Sequence, residues 1–240
     1  MYLSRKDLEG IGKKAYEAYL NLPKIRLQED VKRVDPIVVA ENMLGLSIDY
    51  QHLSLNKLTF GLTSYDPTPA IIFDDEDNKG FYPLDGRTVL IETDIAKDKD
   101  MPGKFHFTLM HECCHHILRR LYPNSYGAQL AKTQGLRYYR AQNDYPKPIT
   151  DWEEWQASAL ASVILIPEEL LRQNMKEVGI GDELEILNSR YRTEYYNMFF
   201  RLAILMGVSL QALHIRMSQL GLIRRDYYHH PNGIFDIEKD

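Results

Sequence analysis

The first part of the chain alternates polar and apolar residues with the period of an α-helix. Over residues 5–20, apolar side chains recur three and four positions apart with charged residues between them, which predicts an amphipathic helix. Asp35 and Pro36 predict the start of a second helix, because Asp is a favoured N-cap and Pro fits the first helical position. Gly45 is expected to end that helix in a left-handed conformation.

The pattern then changes to short runs of β-branched and aromatic residues. Such runs, separated by turn-forming residues, are typical of β-strands. The predicted strands are 46–50, 58–65, 70–73 and 88–92. We expect them to form one small mixed sheet of three or four strands. The segment 122–148 contains several glycines and prolines and is predicted to be a loop with a short helix inside it.

Helices are expected to dominate from residue 102 onward. Periodicity and terminating residues place them at 105–121, 151–166, 168–177, 182–206 and 209–220. The sequence therefore predicts an α+β fold in which the small sheet packs on the first of these helices.

We divide the chain into two units. The first, residues 1–180, holds N-terminal helices (5–45), the sheet (46–92) and two long helices (within 103–166). The second, residues 181–240, is a helical segment that packs on the first. Both units are within the usual size of domains or subdomains.

Composition narrows the function classes. The chain has 240 residues, 44% of them hydrophobic and 26% charged, which is typical of a globular protein with its own core. A net charge of −5 argues against a generally basic nucleic-acid binder. The N-terminus lacks the apolar core of a signal peptide, and no apolar run reaches the roughly 18 residues of a membrane span. We therefore expect a cytoplasmic protein with no membrane partner.

The pentapeptide from His111 to His115 (HECCH) carries the most specific chemical signal. On a helix, residues four apart share one face, so both imidazoles can bind one ion, and neutral imidazole is a good ligand for Zn²⁺. Glu112 can act as general base toward a water molecule whose pKa the metal lowers. His116 has no histidine four residues away, so we expect it to pack or to support the site.

Cys113 and Cys114 occupy the variable positions of the motif and are the only cysteines. Neighbouring cysteines are poorly placed for a structural disulfide. We expect them to pack as small apolar side chains, with redox sensitivity beside a metal as the alternative.

A catalytic zinc ion needs a third protein ligand, and the helix that follows offers two adjacent carboxylates. Thr150 and Glu153 fit a capping box, which gives Glu153 a structural role. Glu154 shares a face with small residues that allow close helix packing, and it is our candidate ligand. If Asp151 is the cap instead, Glu154 becomes the capping partner.

These motifs resemble the ImmA/IrrE family of zinc metallopeptidases. The matching stretches are Phe107–Glu112, Glu154–Ala161 and Ile164–Pro167, and the resemblance extends over most of residues 34–223. The chain departs from the family pattern at Gln156, where many relatives carry a second glutamate, and at Ser158, where Asp or Asn is common.

The resemblance implies a zincin-like fold, with Zn²⁺ held by His111, His115 and Glu154 and with Glu112 as general base. It also implies a protein substrate, often a helix-turn-helix transcriptional repressor. By analogy with the fold, the strand near 88–92 is expected to align the substrate by strand addition. Tyrosines between 122 and 145 are candidates for stabilising the oxyanion.

The C-terminal segment allows a second interpretation. Gly207 and Ser209 have the spacing of a helix-turn-helix, and residues 190–225 contain six arginines and one acidic residue, a balance that permits phosphate contacts. We favour helices that pack on the first unit, with a docking surface for a protein substrate as the next interpretation and DNA binding after it. The alternative function is a non-catalytic, zinc-containing regulator that binds DNA or a repressor.

Overall fold

The computed structural model describes residues 2–98, 102–126, 136–140, 152–185 and 193–224. Its helices are α1 (Arg5–Leu20), α2 (Pro23–Arg26), α3 (Pro36–Val38), α4 (Thr93–Lys97), α5 (Pro102–Leu121), α6 (Trp152–Leu165), α7 (Glu168–Glu177), α8 (Thr193–Met206) and α9 (Leu210–Gln219). Its strands are β1 (Ser47–Gln51), β2 (Thr59–Ser64), β3 (Thr68–Phe73), β4 (Lys79–Leu84), β5 (Thr88–Glu92), β6 (Leu136–Arg140), β7 (Leu184–Glu185) and β8 (Ile223–Arg224). The predicted α+β class is confirmed.

α1 covers the residues of the first predicted helix, and α3 begins at Pro36 as predicted, whereas the short helix α2 was not predicted. The Asp35 side chain accepts a hydrogen bond from the Ile37 amide at 2.9 Å, as an N-cap does. After α3 the chain continues as a π-helical turn, Val39–Met43. Gly45 follows with a φ of 65°, so it occupies the left-handed conformation that glycine adopts without strain.

A four-stranded mixed sheet lies at the centre of the fold, in the order β1-β5-β2-β6. β1 and β5 are parallel, whereas β2 pairs antiparallel with β5 and with β6. The hairpin of β3 and β4 forms a separate two-stranded sheet instead of joining the first one. The expectation of one sheet across 46–92 was therefore wrong, because the strand 79–84 went unrecognised and pairs with β3.

The central sheet has different neighbours on its two faces. Alternate residues of β5 separate, so Val89 and Ile91 face the core that contains α5, and Leu90 faces a smaller cluster under the hairpin. This alternation follows from the two-residue period of a strand. The sheet thus packs on α5 with one face, and the larger core also takes in side chains from α6 to α9.

α5 and α6 pack against each other, and both contribute small side chains to the shared core. Ala157 and Ala161 of α6 are fully buried, as are Cys113 and Cys114 of α5. The contact aligns the two helices that carry the HECCH motif and Glu154.

The C-terminal pair α8 and α9 meets at a bend of 101°, within the range of helix-turn-helix units. Gly207 has a φ of 66°, and Ser209 caps α9 by accepting from the Ala212 amide at 3.1 Å. A Cβ at Gly103 would lie 2.5 Å from the Ser209 nitrogen. The turn of this pair is therefore packed directly against the first turn of α5.

The arginines of the C-terminal pair have different surroundings. Arg216 is 1% exposed and forms an ion pair with Glu9 of α1, while its Nε donates to the Ile166 carbonyl at 3.1 Å. Arg224 lies 3.7 Å from Glu183. Along α9 the exposed side chains are uncharged: Gln211, Ile215, Ser218 and Gln219. The contacts of Arg216 with Glu9 and Ile166 give this arginine a structural role.

Two further expectations need correction. Of the helix predicted at 182–206, Thr193–Met206 is helical, whereas Leu184 and Glu185 pair in parallel with β8 and residues 186–192 lie outside the described ranges. The segment 136–140, predicted within a loop, is strand β6, because β2 provides a pairing edge that local sequence does not reveal. The rest of that loop lies outside the described residues, and the unit boundary at residue 180 stays a prediction.

None of the single helices in the described ranges has both the length and the apolar composition to span a membrane, and α8 and α9 pass that test only as a bent pair.

Candidate metal centre

α5 places its motif in the protein interior. His111, Glu112 and His115 all have 0% exposure, on a helix whose flanking residues pack against the sheet and against α6. A buried charged or polar group needs partners of suitable charge and geometry. The surroundings of these side chains therefore define what they can bind.

The two histidines and Glu154 converge on one point. The Nε2 atoms of His111 and His115 are 3.0 Å apart. The Glu154 carboxylate oxygens lie 3.1 Å from His111 Nε2 and 3.3 Å from His115 Nε2. The structure thus brings together the three side chains that we expect to be metal ligands, and their assignment as ligands stays a prediction.

The other ring nitrogens are held by hydroxyl groups. Ser158 Oγ is 3.1 Å from His111 Nδ1, and Tyr126 Oη is 2.8 Å from His115 Nδ1. Such partners orient the imidazole rings so that their Nε2 atoms face the inside of the site. Ser158, a departure from the family pattern, therefore still supports His111.

The charge of Glu154 is stabilised by the histidines. Burial by itself would raise the pKa of this carboxyl group, but the charge of His115 and hydrogen bonds with both imidazoles outweigh it. The pKa of Glu154 therefore lies well below its ordinary value. A carboxylate that stays ionised is available as a metal ligand at neutral pH.

The geometry of the three side chains fits a zinc ion. A tetrahedral ion about 2.0 to 2.1 Å from each ligand atom would separate those atoms by about 3.3 Å, close to the observed 3.0 to 3.3 Å. Two imidazole nitrogens and one carboxylate also match the donor types of catalytic zinc sites, which keep a fourth position open.

Glu112 lies against Gly61 of strand β2, where any larger residue would displace the Glu112 carboxylate. A Cβ at Gly61 would be 2.6 Å from Glu112 Oε1 and 2.9 Å from Thr108 Cγ2. Gly61 pairs with Ile91 of β5 and Tyr139 of β6, so the sheet holds this contact in place. Sequence reasoning missed Gly61, although a glycine inside a strand is a known signal of close approach.

His116 and the two cysteines are packed as expected. His116 is 5% exposed, and its Nε2 is 2.7 Å from Thr63 Oγ1. Burial, with His115 and Arg120 nearby, lowers the pKa of His116 to about 4. Burial likewise raises the pKa of both thiols, Cys114 well above its ordinary value, so they stay protonated and are poor nucleophiles.

The neighbours of Glu154 in the sequence make contacts other than those of Glu154 with the histidines. Gln156 is fully buried, its Oε1 accepts from the Leu3 amide at 2.9 Å, and its Nε2 donates to the Trp152 carbonyl at 2.8 Å. Glu153 accepts a hydrogen bond from Tyr126 with its backbone carbonyl. The proposed caps Thr150 and Asp151 lie outside the described residues. Glu154 is therefore the carboxylate of this turn whose contacts with both histidines are observed.

The strand at 88–92 is not placed to add a substrate strand. β5 is hydrogen-bonded on both sides, to β1 and to β2, and all five of its residues are buried. The expectation that this strand aligns the substrate was wrong, because an added strand needs an edge with unpaired backbone groups.

A helix bearing His-Glu-x-x-His, together with a carboxylate from a following helix, defines the zincin class of metalloproteins. Comparison with protein families agrees: residues 75–218 match the peptidase M78 family, described as the IrrE N-terminal-like domain. The chain belongs to this family. No curated protein shows a significant match to the chain.

Proposed function

We propose that this protein is a zinc-dependent metallopeptidase that cleaves one specific intracellular protein, a helix-turn-helix transcriptional repressor. The observation that carries the proposal is the convergence of His111, His115 and Glu154 beside the buried Glu112. Membership of a peptidase family supports the reaction class. The repressor as substrate rests on the resemblance of the sequence to the ImmA/IrrE family.

The reaction requires one ion and one base. A zinc ion, when bound, supplies Lewis-acid chemistry that polarises the peptide carbonyl and acidifies water. His111, His115 and Glu154 would hold it. Glu112 would take a proton from the attacking water and deliver it to the departing amine. Gly61 leaves space for the Glu112 carboxylate, so the base is confined between α5 and β2.

The number of candidate ligands separates this proposal from the regulator alternative. A structural zinc site is usually closed by four protein ligands, whereas three candidate ligands converge here among the described residues. The burial of Arg216 in an ion pair with Glu9 also removes one of the arginines that would otherwise favour DNA binding.

The test compares wild type with Glu112→Gln, which keeps the size of the side chain and removes the base. We expect cells that produce wild type to contain a new protein N-terminus derived from a helix-turn-helix repressor, detected by N-terminal labelling and mass spectrometry. In vitro, the variant should cleave that repressor about 10²- to 10⁴-fold more slowly, the usual contribution of a general base, while its zinc affinity is kept.

Other outcomes would point elsewhere. A repressor that binds the protein with zinc present but stays intact would favour the non-catalytic regulator. Equal cleavage by wild type and Glu112→Gln would exclude Glu112 as the base.

A further inference from the structure

Tyr126 connects the two helices that carry the candidate ligands. It lies between α5 and α6 and has 0% exposure. Its Oη is 2.8 Å from His115 Nδ1 and 3.1 Å from the backbone carbonyl oxygen of Glu153. One phenol therefore contacts a histidine of the metal centre and the residue immediately before Glu154.

The direction of each hydrogen bond follows from the groups involved. A carbonyl oxygen can only accept, so the single phenolic proton of Tyr126 is donated to Glu153. Tyr126 Oη must then accept from His115, which places the ring proton on Nδ1. When the imidazole is neutral, the Nε2 atom of His115, 3.0 Å from that of His111, therefore presents a lone pair to the centre.

The backbone around Tyr126 is anchored to α5 independently of α6. Arg119 Nη1 donates to the carbonyl oxygens of Pro123 and Tyr126, both at 2.6 Å, and the Tyr126 amide donates to Tyr122 at 2.9 Å. Arg119 is four residues after His115, on the same face of the helix. The helix that bears the histidines thus also determines where the phenol lies.

We propose that Tyr126 is a positioning residue of the metal centre: it selects the tautomer of His115 and holds the start of α6, so that Glu154 meets both histidines. The inference rests on the proposed metal site. It also assigns a different task to one of the tyrosines that sequence reasoning considered for the oxyanion, because the proton of Tyr126 is directed to Glu153.

The experiment measures zinc affinity by competition with a chelator for wild type, Tyr126→Phe and Tyr19→Phe. Tyr19 is a matched control, since it is 1% exposed and its hydroxyl accepts from the Asp35 amide at 3.1 Å. We expect Tyr126→Phe to bind zinc about 10- to 100-fold more weakly, as is usual when a partner of a metal-bound histidine is removed. Tyr19→Phe should bind as wild type does.

A second readout separates positioning from a general loss of structure. Long-range ¹H–¹⁵N NMR of the metal-free protein reports which nitrogen of His115 carries the proton. We expect the Nδ1–H form in wild type and in Tyr19→Phe, and a mixture of both tautomers in Tyr126→Phe.

Wild type that binds no zinc would overturn the proposed function itself. If wild type binds zinc, the positioning role is overturned when Tyr126→Phe binds it equally tightly. It is also overturned when the variant loses affinity with an unchanged His115 tautomer.

Discussion

Two groups of histidine and carboxylate side chains in the described structure offer ligand atoms within 4.8 Å of one another. The two groups differ in the contacts of their histidine rings. In the first, His111, His115 and Glu154 lie 3.0 to 3.3 Å apart. The second consists of His52, Glu92 and Asp94. Its His52 Nδ1 is 2.7 Å from Glu92 Oε1, and His52 Nε2 is 3.2 Å from Asp75 Oδ1, a carboxylate outside the group.

The two groups differ in the atoms that face the ring nitrogens of their histidines. At the first group the outer ring nitrogens contact hydroxyls, and the inner nitrogens face each other and one carboxylate, an arrangement that suits a bound cation. At His52 both nitrogens face acceptors, an arrangement that suits a protonated imidazole donating in two directions. Lys57 Nζ is also 2.6 Å from Asp94 Oδ2, the third member of the second group. Residue types alone therefore do not distinguish a metal site from a proton-bridged ion pair.

The largest expected effect is the stabilisation of the protein by zinc through the first group. A ligand that binds only the folded state stabilises it by about 4 kcal/mol at a concentration 1,000 times Kd. For a chain of this length that amounts to a rise in Tm of about 8 to 16 °C, measurable by scanning calorimetry of protein freed of metal by a chelator.

The comparison supplies the controls for this measurement. His111→Ala should show no rise in Tm on zinc addition, whereas His52→Gln should respond as wild type does. The reverse pattern would mean that the second group is the metal site.

A smaller effect is expected from pH acting on the second group. The hydrogen bond with Glu92 raises the pKa of His52 above its ordinary 6.5, despite partial burial. The protonated form is thus stabilised by folding. Its contribution is complete below pH 6.5 and is lost as the pH rises through the raised value. His52→Gln should lower the free energy of unfolding by about 1 to 2 kcal/mol at pH 6 and by less at pH 9.

Urea unfolding of wild type and variant at both pH values measures this difference. Asp75→Asn is a useful companion, because Asp75 is 94% exposed and exposed ion pairs contribute little. A larger loss for His52→Gln at pH 9 than at pH 6 would contradict the account of an ion pair.

Sequence patterns predicted the parts of the fold that depend on local interactions. Local patterns predicted the helix from Arg5, the cap at Asp35 and the left-handed glycine at residue 45, because capping and periodicity act over a few residues. The HECCH motif predicted a shared position of its two histidines for the same reason, because they lie one turn apart on one helix.

What the sequence did not reveal depends on distant partners. Tyr126 resembles the other tyrosines of its segment until α5 and α6 are in place. Arg216 counts as a surface charge until Glu9, 207 residues away in the chain, is seen beside it. β5 resembles any exposed strand until β1 and β2 pair on both of its sides. In each case the tertiary contact, and not the local pattern, sets the role.

The central claim is tested most directly by the zinc content of the purified protein, measured by mass spectrometry for wild type, Glu154→Gln and Glu92→Gln. Each substitution neutralises one glutamate of one histidine–carboxylate group. The account predicts about one zinc ion per chain in wild type and in Glu92→Gln, and a clear loss in Glu154→Gln. Wild type without zinc, or a loss confined to Glu92→Gln, would contradict it.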